Sequence, residues 1–547
     1  MNGVREGKDE GEATVRRRSA HSVSVACVVL YLAVVVCLFL AIRSRDDGVF
    51  TYSIDDPYIH LALAQSLAHG HYGINPGEPS SPSSSILWPF LLVPFAARAW
   101  NLYAPLALNV LFCGIAAWLI GRTVDSWDSR WSARHAHSAR LGWLRRFGVA
   151  VAVMLIANLV GLTFVGMEHG LQVLLAVACA AGLVEAFAGR PIPVWCIAAA
   201  VLGPLVRYES FALLAAVAVA LCGQRRFRAA AVAVALSLAG PALFSVFLVL
   251  RGLPALPSSV LVKAMVFRFQ GSFAFTAVAT LAQSIYLGVR EGAWWDQLAV
   301  AGLLFFFFRR ERQRSRRFIL GGALLTAVLQ LLIGRFNWFH RYEVYAIVFT
   351  AIVAATALVE STRLRSRHLL GGLLALTWPY WLAIWQTPLS ARNIYQQQYQ
   401  MHRFLAGYRG SAVAVNDIGL VSYDRSAGLY VLDLWGLASP EASRRAKKDA
   451  AWLDVVTRAH SAGLVIFYPE WYPDGAPDDW QPLATMCMAG HEILGSRCVA
   501  FYSTPQGDHA ALLAEVAAFA RTLPAGMKVT LGKDTTDEDN SGPAVRR

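Results

Sequence analysis

Long apolar runs separated by short basic clusters set the pattern of this chain. Residues 23–42, 147–165 and 229–250 each approach the ~20 apolar residues that a helix needs to cross a bilayer core. In lipid the backbone must satisfy its own hydrogen bonds, so such runs are expected to be helices. With every basic cluster on the cytoplasmic side, the runs thread into about eleven crossings. Residues 86–97, apolar but short and interrupted by two prolines, are left as an interfacial segment. Two stretches, 273–289 and 298–308, compete for one crossing, and the pattern does not choose between them. The expected fold class is a polytopic α-helical membrane protein with a C-terminal extracytoplasmic α/β domain.

The periodicity changes after the last apolar run. Strand-like segments at 412–415, 430–434, 464–468 and 498–502 are interleaved with helix-like 450–459 and 510–523. The expected organisation is a cytoplasmic tail over 1–22 and a membrane domain over 23–385, with its first outer loop at about 43–85. An α/β domain over 386–525 and a disordered tail over 526–547 complete it.

Composition sharpens this picture. Of the 547 residues 56% are hydrophobic and only 16% charged, well below the ~25% charged residues of an ordinary soluble protein. The net charge of +13 does not read as a nucleic-acid surface. It resides in inter-run clusters, such as the six arginines between 309 and 317, as the positive-inside pattern requires. Six of the eight cysteines fall in apolar runs, where they act as small buried hydrophobes. Cys487 and Cys498 are the two of the outer domain, and an oxidising compartment makes them a disulfide candidate.

Candidate chemistry gathers in the predicted outer loops. Asp55 and Asp56 follow the first crossing and precede Pro57, Tyr58 and His60. Either carboxylate can cap the helix that Pro57 opens, which leaves the other free to act; Pro57 favours Asp56 as the cap and Asp55 as the base. Two tight bends read Gly166-Met167-Glu168 and Arg207-Tyr208-Glu209. Lys263, Arg335 and Arg341 complete the cations expected on the outer face. Bland readings stand beside these: Glu168 as a hydrated turn, Arg207 with Glu209 as a structural ion pair, and the other cations as headgroup contacts. No histidine spacing argues for a metal.

Taken in order, these pieces resemble the GT-C glycosyltransferases, closest to the bacterial branch that includes the terminal arabinofuranosyltransferases of mycobacteria. The resemblance rests on Asp55-Asp56-Pro57-Tyr58-Ile59, Asn75-Pro76-Gly77-Glu78 and the serine-rich 80–88 in the first loop. It continues through Gly166-Met167-Glu168, Arg207-Tyr208-Glu209, the 257–264 loop, Arg341-Tyr342 and Asp433-Leu434-Trp435-Gly436-Leu437. Ser258-Ser259 stands where the family has Asn-Thr, and Pro57 where it has a small residue.

The resemblance implies an inverting enzyme that moves a sugar from a polyprenyl-phosphate donor to a glycan, glycolipid or surface-polymer acceptor. The catalytic base is then Asp55 or Asp56, with Arg207, Lys263 and Arg341 on the donor phosphate. Tyr58, His60, Glu168 and Glu209 fall to substrate binding. No cofactor is certain beyond the lipid-linked donor; a divalent metal is left open, without support in the sequence. The expected location is a bacterial cytoplasmic membrane with the site facing outward. The rival reading is a transporter or flippase of a lipid-linked glycan, which predicts broken helices in two related halves.

Overall fold

The computed structural model describes residues 22–132, 139–263, 273–361, 366–445, 447–472, 474–490, 493 and 495–532. The expected tail over 1–22 lies, but for Ser22, outside the described residues, as does most of the tail expected after 526.

Six helices are long and apolar enough to cross a membrane: Ser22–Arg45, Asn101–Trp127, Gly142–Val165, His169–Phe187, Phe227–Leu250 and Arg314–Ile333. They make the chain a multi-pass membrane protein. Shorter apolar helices, among them Val194–Val206 and Val344–Glu360, fill the bundle between them. Outward-facing residues such as Val29, Val36, Leu243 and Val246 stay exposed, as a lipid-facing surface requires.

Both stretches that competed for one crossing are helical, as Phe273–Gly288 and Gly292–Arg310. Glu291, just before the second, accepts from Asn337 Nδ2 at 2.8 Å, beside the loop that carries Arg341. Nineteen residues of helix then reach about 28 Å to the arginine cluster at the other end.

Two further differences concern boundaries. The expected division at residue 386 falls inside one helix, Trp378–Gln396, which runs from the bundle into the C-terminal part. The polar character that begins near Gln386 marks a change of surroundings along one helix, which also carries Pro388 in its interior. The tail expected from 526 begins with a strand, Lys528–Leu531, that pairs antiparallel with Gln481–Cys487.

The C-terminal part holds a six-stranded sheet. Its strands are β1 (Ala412–Val415), β2 (Tyr430–Asp433), β3 (Leu464–Phe467), β4 (Gln481–Cys487), β5 (Cys498–Ser503) and β6 (Lys528–Leu531), in the order β2-β1-β3-β5-β4-β6. β2, β1 and β3 are parallel, and the rest are antiparallel. Cys487 and Cys498 face each other across β4 and β5 and are joined as a disulfide.

The parallel strands end side by side at the edge that meets the first loop. Asn75 uses its side-chain amide as a backbone substitute there: Nδ2 donates to Val431 O at 2.9 Å, and Oδ1 accepts from Val431 N at 3.1 Å. That closes the open edge of β2, which would otherwise present unpaired groups. Tyr430 adds a bond to Glu78 Oε2 at 2.8 Å. The Asn75-Pro76-Gly77-Glu78 segment is thus a clasp between loop and sheet.

Candidate active site

The first loop delivers its two aspartates in different directions. The helix Asp56–Ala68 begins at Asp56, with Pro57 in its first turn and Asp55 at the capping position, and the Asp55 side chain makes no cap bond to it. The capping position thus falls to Asp55 and not, as expected, to Asp56. Asp55 instead turns to the C-terminal part: Oδ2 accepts from Gly419 N at 2.6 Å and Oδ1 from Leu420 N at 2.9 Å. Gly419 permits this approach, since a Cβ there would lie 2.2 Å from Asp55 Oδ2.

Asp55 also shares a hydrogen bond with Asp417, whose Oδ2 accepts from Gln398 Nε2 at 2.9 Å. Burial holds the Asp55 carboxyl well above the ordinary carboxylate range, and Asp417 adds to the rise. Burial raises Asp417 as well. Two buried carboxyls in contact keep one proton between them. The native state thus binds a proton that the separated groups, with ordinary values of about 4, would release. Stability from the pair is full below that value and is lost as pH rises through the raised one. The melting temperature of detergent-solubilised protein should therefore fall with rising pH. Asp417→Asn, whose amide hydrogen replaces the shared proton, should flatten that slope; equal slopes in the two proteins would show that the pair is not the cause.

Asp56 points the other way, into a narrow cleft lined by Asp56, His60, Pro82, Ser84, Met167 and Leu437. Its side chain is 24% exposed, and its Oδ2 accepts from Arg341 Nη2 at 2.5 Å. Arg341 is itself buried. Its Nη2 also donates to Tyr342 Oη at 3.0 Å, and its Nη1 to Met167 Sδ at 2.8 Å. Arg341 therefore orients Asp56, and its Nε is buried without a hydrogen-bond partner.

A second set of charges lies beneath the cleft. Arg207 donates from Nη1 to Glu168 Oε1 at 2.9 Å and to Ser84 Oγ at 2.9 Å. Its Nη2 reaches Glu209 Oε1 at 2.6 Å and its Nε Glu209 Oε2 at 3.2 Å. The fork-on-carboxylate geometry with Glu209 is bidentate, the strongest form of such a pair. Arg207 is buried, and four of its N–H groups are spent on Glu168, Ser84 and Glu209, so it ties these elements together. Glu168 is buried beneath the cleft, and its Oε2 lies 3.6 Å from His60 Nε2. His60 is held from the other side by Ser83 Oγ at 3.2 Å.

Tyr58, expected to bind substrate, is buried away from the cleft, its Oη accepting from Tyr52 N at 3.1 Å. Lys263 ends a short helix, Ser258–Lys263, and its side chain lies outside the described residues. Arg335 differs from the other cations. It is exposed, stacks 5.8 Å from the Tyr342 ring centroid, and among the described residues its guanidinium makes no hydrogen bond or ion pair. Arg207 and Arg341 stack on the same ring, at 5.4 and 5.0 Å.

The loop that carries Arg341 is unusual in its backbone. Asn337, Trp338, Phe339 and His340 take positive φ in succession, from 50° to 67°. Each such residue costs about 1–2 kcal/mol, and side chains hold them in place. Glu343 accepts from Asn337 N at 3.1 Å and from His340 Nδ1 at 2.7 Å, and Asn158 Nδ2 donates to Phe339 O at 3.0 Å. Asn158 interrupts the transmembrane run between the helices Ala139–Ile156 and Leu159–Val165, so this break serves the loop.

Sequence reasoning did not single out Asp417, Ser84, Met167 or Leu437 as individual site residues. Among the described residues, no group of three His, Cys, Asp or Glu side chains could hold a metal ion. Asp55 faces two amides and Asp417, whereas Asp56 faces an arginine, so the pair does not converge as cation ligands.

A family model described as a domain of unknown function (DUF8728) matches residues 392–502. No curated protein matches the chain in sequence. Among solved structures, the Archaeoglobus fulgidus oligosaccharyltransferase complex with Zn and sulfate is similar over 92% of this chain and 74% of its own. That match has 12% identity and a TM-score of 0.44. The archaeal oligosaccharyltransferase AglB from Archaeoglobus fulgidus, in complex with an inhibitory peptide and a dolichol-phosphate, matches 83% of this chain and 73% of its own. Identity is 13% and the TM-score 0.38. ArnT from Cupriavidus metallidurans, bound to undecaprenyl phosphate, matches 88% and 99% at 12% identity and a TM-score of 0.39.

Proposed function

We propose that this protein is a membrane glycosyltransferase that moves a sugar, with inversion, from a polyprenyl-phosphate donor to a glycan or glycolipid hydroxyl. The observation that carries the reading is Asp56: a partly exposed carboxylate in a cleft, aimed by a buried arginine, beside the membrane-crossing bundle. In the reaction Asp56 takes the acceptor hydroxyl's proton as that oxygen bonds to C1 of the sugar. The C1–oxygen bond to the phosphate breaks on the opposite face, and the lipid phosphate leaves with the electron pair. Arg335, the cation with an open fork, is the side chain placed to meet that charge. Mass spectrometry of surface glycans from cells with the wild-type protein, with Asp56→Asn and without the protein tests this. The variant should match the deletion; a wild-type glycan profile in the variant would refute the reading.

In this reading the site faces away from the cytoplasm. Pro76, in the clasp, and Gln313, at the far end of the helix Arg314–Ile333 from Arg335, are both exposed and give the test. A membrane-impermeant maleimide added to intact cells should label Pro76→Cys above the wild-type background and leave Gln313→Cys unlabelled. The reverse pattern would place the cleft in the cytoplasm.

A further inference from the structure

In an open sheet with parallel strands, ligands bind outside the carboxyl ends of those strands. Here the three parallel strands end beside the cleft, and each end carries a different group. The residues after β1 are spent on Asp55, through Asp417, Gly419 and Leu420. The residues after β2 and β3 bring up two tryptophans, Trp435 and Trp471, whose ring centroids lie 5.1 Å apart at 60°. Lys448 completes the group, with Nζ 5.1 Å from the Trp435 ring centroid.

Neither tryptophan is fully buried, and Trp435 belongs to no hydrophobic core cluster. Core packing thus does not account for Trp435. Its turn is nevertheless built rigidly. The Asp433 carboxylate accepts from Trp435 N at 2.8 Å, Gly436 N at 3.1 Å and Ala438 N at 2.6 Å. Gly436 has φ +102°, and a Cβ there would sit 2.6 Å from Ser443 N. The same turn places Leu437 in the wall of the Asp56 cleft. Two residues of backbone span at most about 7 Å, so the tryptophans stand next to the cleft on the outer-domain side.

We propose that Trp435, Trp471 and Lys448 form a subsite for the saccharide chain of the acceptor. A sugar ring has one face of C–H groups and a rim of hydroxyls. The partly exposed indoles offer a rigid apolar platform for the face, with few torsions to freeze. The exposed Glu470 next to Trp471 offers an acceptor for the rim, and Lys448, whose Nζ donates to Trp435 O at 2.5 Å, fixes the platform. Acceptor length is then read here, one sugar unit or so from the hydroxyl presented to Asp56. The proposal rests on the glycosyltransferase reading.

The test uses the intact solubilised protein on an array of neutral pentose and hexose oligosaccharides. Wild type should be retained, and Trp435→Ala and Trp471→Ala should each lower retention at least tenfold, with partial retention by Trp435→Phe. Trp471 packs partly against the core, so if its variant fails to fold, Trp435→Ala decides. Absence of retention by wild type, or undiminished retention by a folded Trp435→Ala, overturns the subsite. Transfer assays on the same preparations separate the two readings: glycan retained by Asp56→Asn with transfer lost supports both, whereas glycan retained by wild type that transfers no sugar removes the enzyme reading and leaves a saccharide-binding surface.

Discussion

Asp56→Asn is expected to fold and to lose turnover by roughly 10²–10⁴-fold, the usual cost of removing a general base. Asparagine keeps the size of the side chain and an oxygen that can accept from Arg341 Nη2, so the loop around Arg341 retains its anchor. It cannot take a proton from an acceptor hydroxyl. The neighbouring substitution should behave in the opposite manner. Asp55 has both oxygens engaged by backbone amides of the sheet-bearing part. Asn in its place offers one acceptor where two are used, and it leaves a buried amide hydrogen facing an N–H. A buried donor left without its acceptor costs about 1–3 kcal/mol, so Asp55→Asn should lower the melting temperature and, with it, the yield of folded protein. Turnover per folded molecule should stay within about tenfold of wild type. Melting temperature and single-turnover rate, measured on the same preparations, separate the two. A stable but inactive Asp55→Asn beside an active Asp56→Asn would exchange the roles.

That exchange of roles shows where legibility in the sequence ended. Apolar length and charge asymmetry identify the bundle helices, because in lipid a run of that length has one hydrogen-bonding solution. β1, β2, β3 and β5 are rich in β-branched and aromatic residues, and short turn-rich segments bound them, so their period is readable. β4, which contains Pro482, and β6, four residues on an exposed edge, carry no such pattern; their pairing comes from β5 and from each other. The aspartates could not be told apart because their difference is tertiary. Asp55 meets Gly419 and Leu420 more than 360 positions away, and Asp56 meets Arg341 at a separation of 285. Arg207 had the same problem in milder form. Its pairing with Glu209 could be read two residues away, but Glu168 and Ser84 could not, and they are what close its fork. Arg335 stands out only once its neighbours are seen to be occupied.

Arg207→Ala is accordingly expected to be a folding defect. It would strand Glu168, fully buried, without its guanidinium, and release Glu209 from a bidentate pair. Removing one partner of a buried ion pair typically costs about 3–5 kcal/mol, because the remaining charge has neither water nor a counterion. Against a total stability of ~5–15 kcal/mol for a typical native protein, that is a large fraction. Glu168→Gln should cost less, since Arg207 keeps Glu209 and Ser84, and a neutral amide can still accept from Nη1. Combining Arg207→Met with Glu168→Gln should recover much of the loss, because the uncompensated buried charge is gone and the aliphatic stem is replaced. The double variant therefore tests the origin of the defect: recovery points to a stranded carboxylate, and none would point to lost packing around the guanidinium. A phosphate ligand would behave differently from either. Arg207→Ala would then melt like wild type and show a raised KM for the lipid-linked donor, and Glu168→Gln would leave both quantities unchanged. The buried, saturated fork predicts the melting-temperature loss.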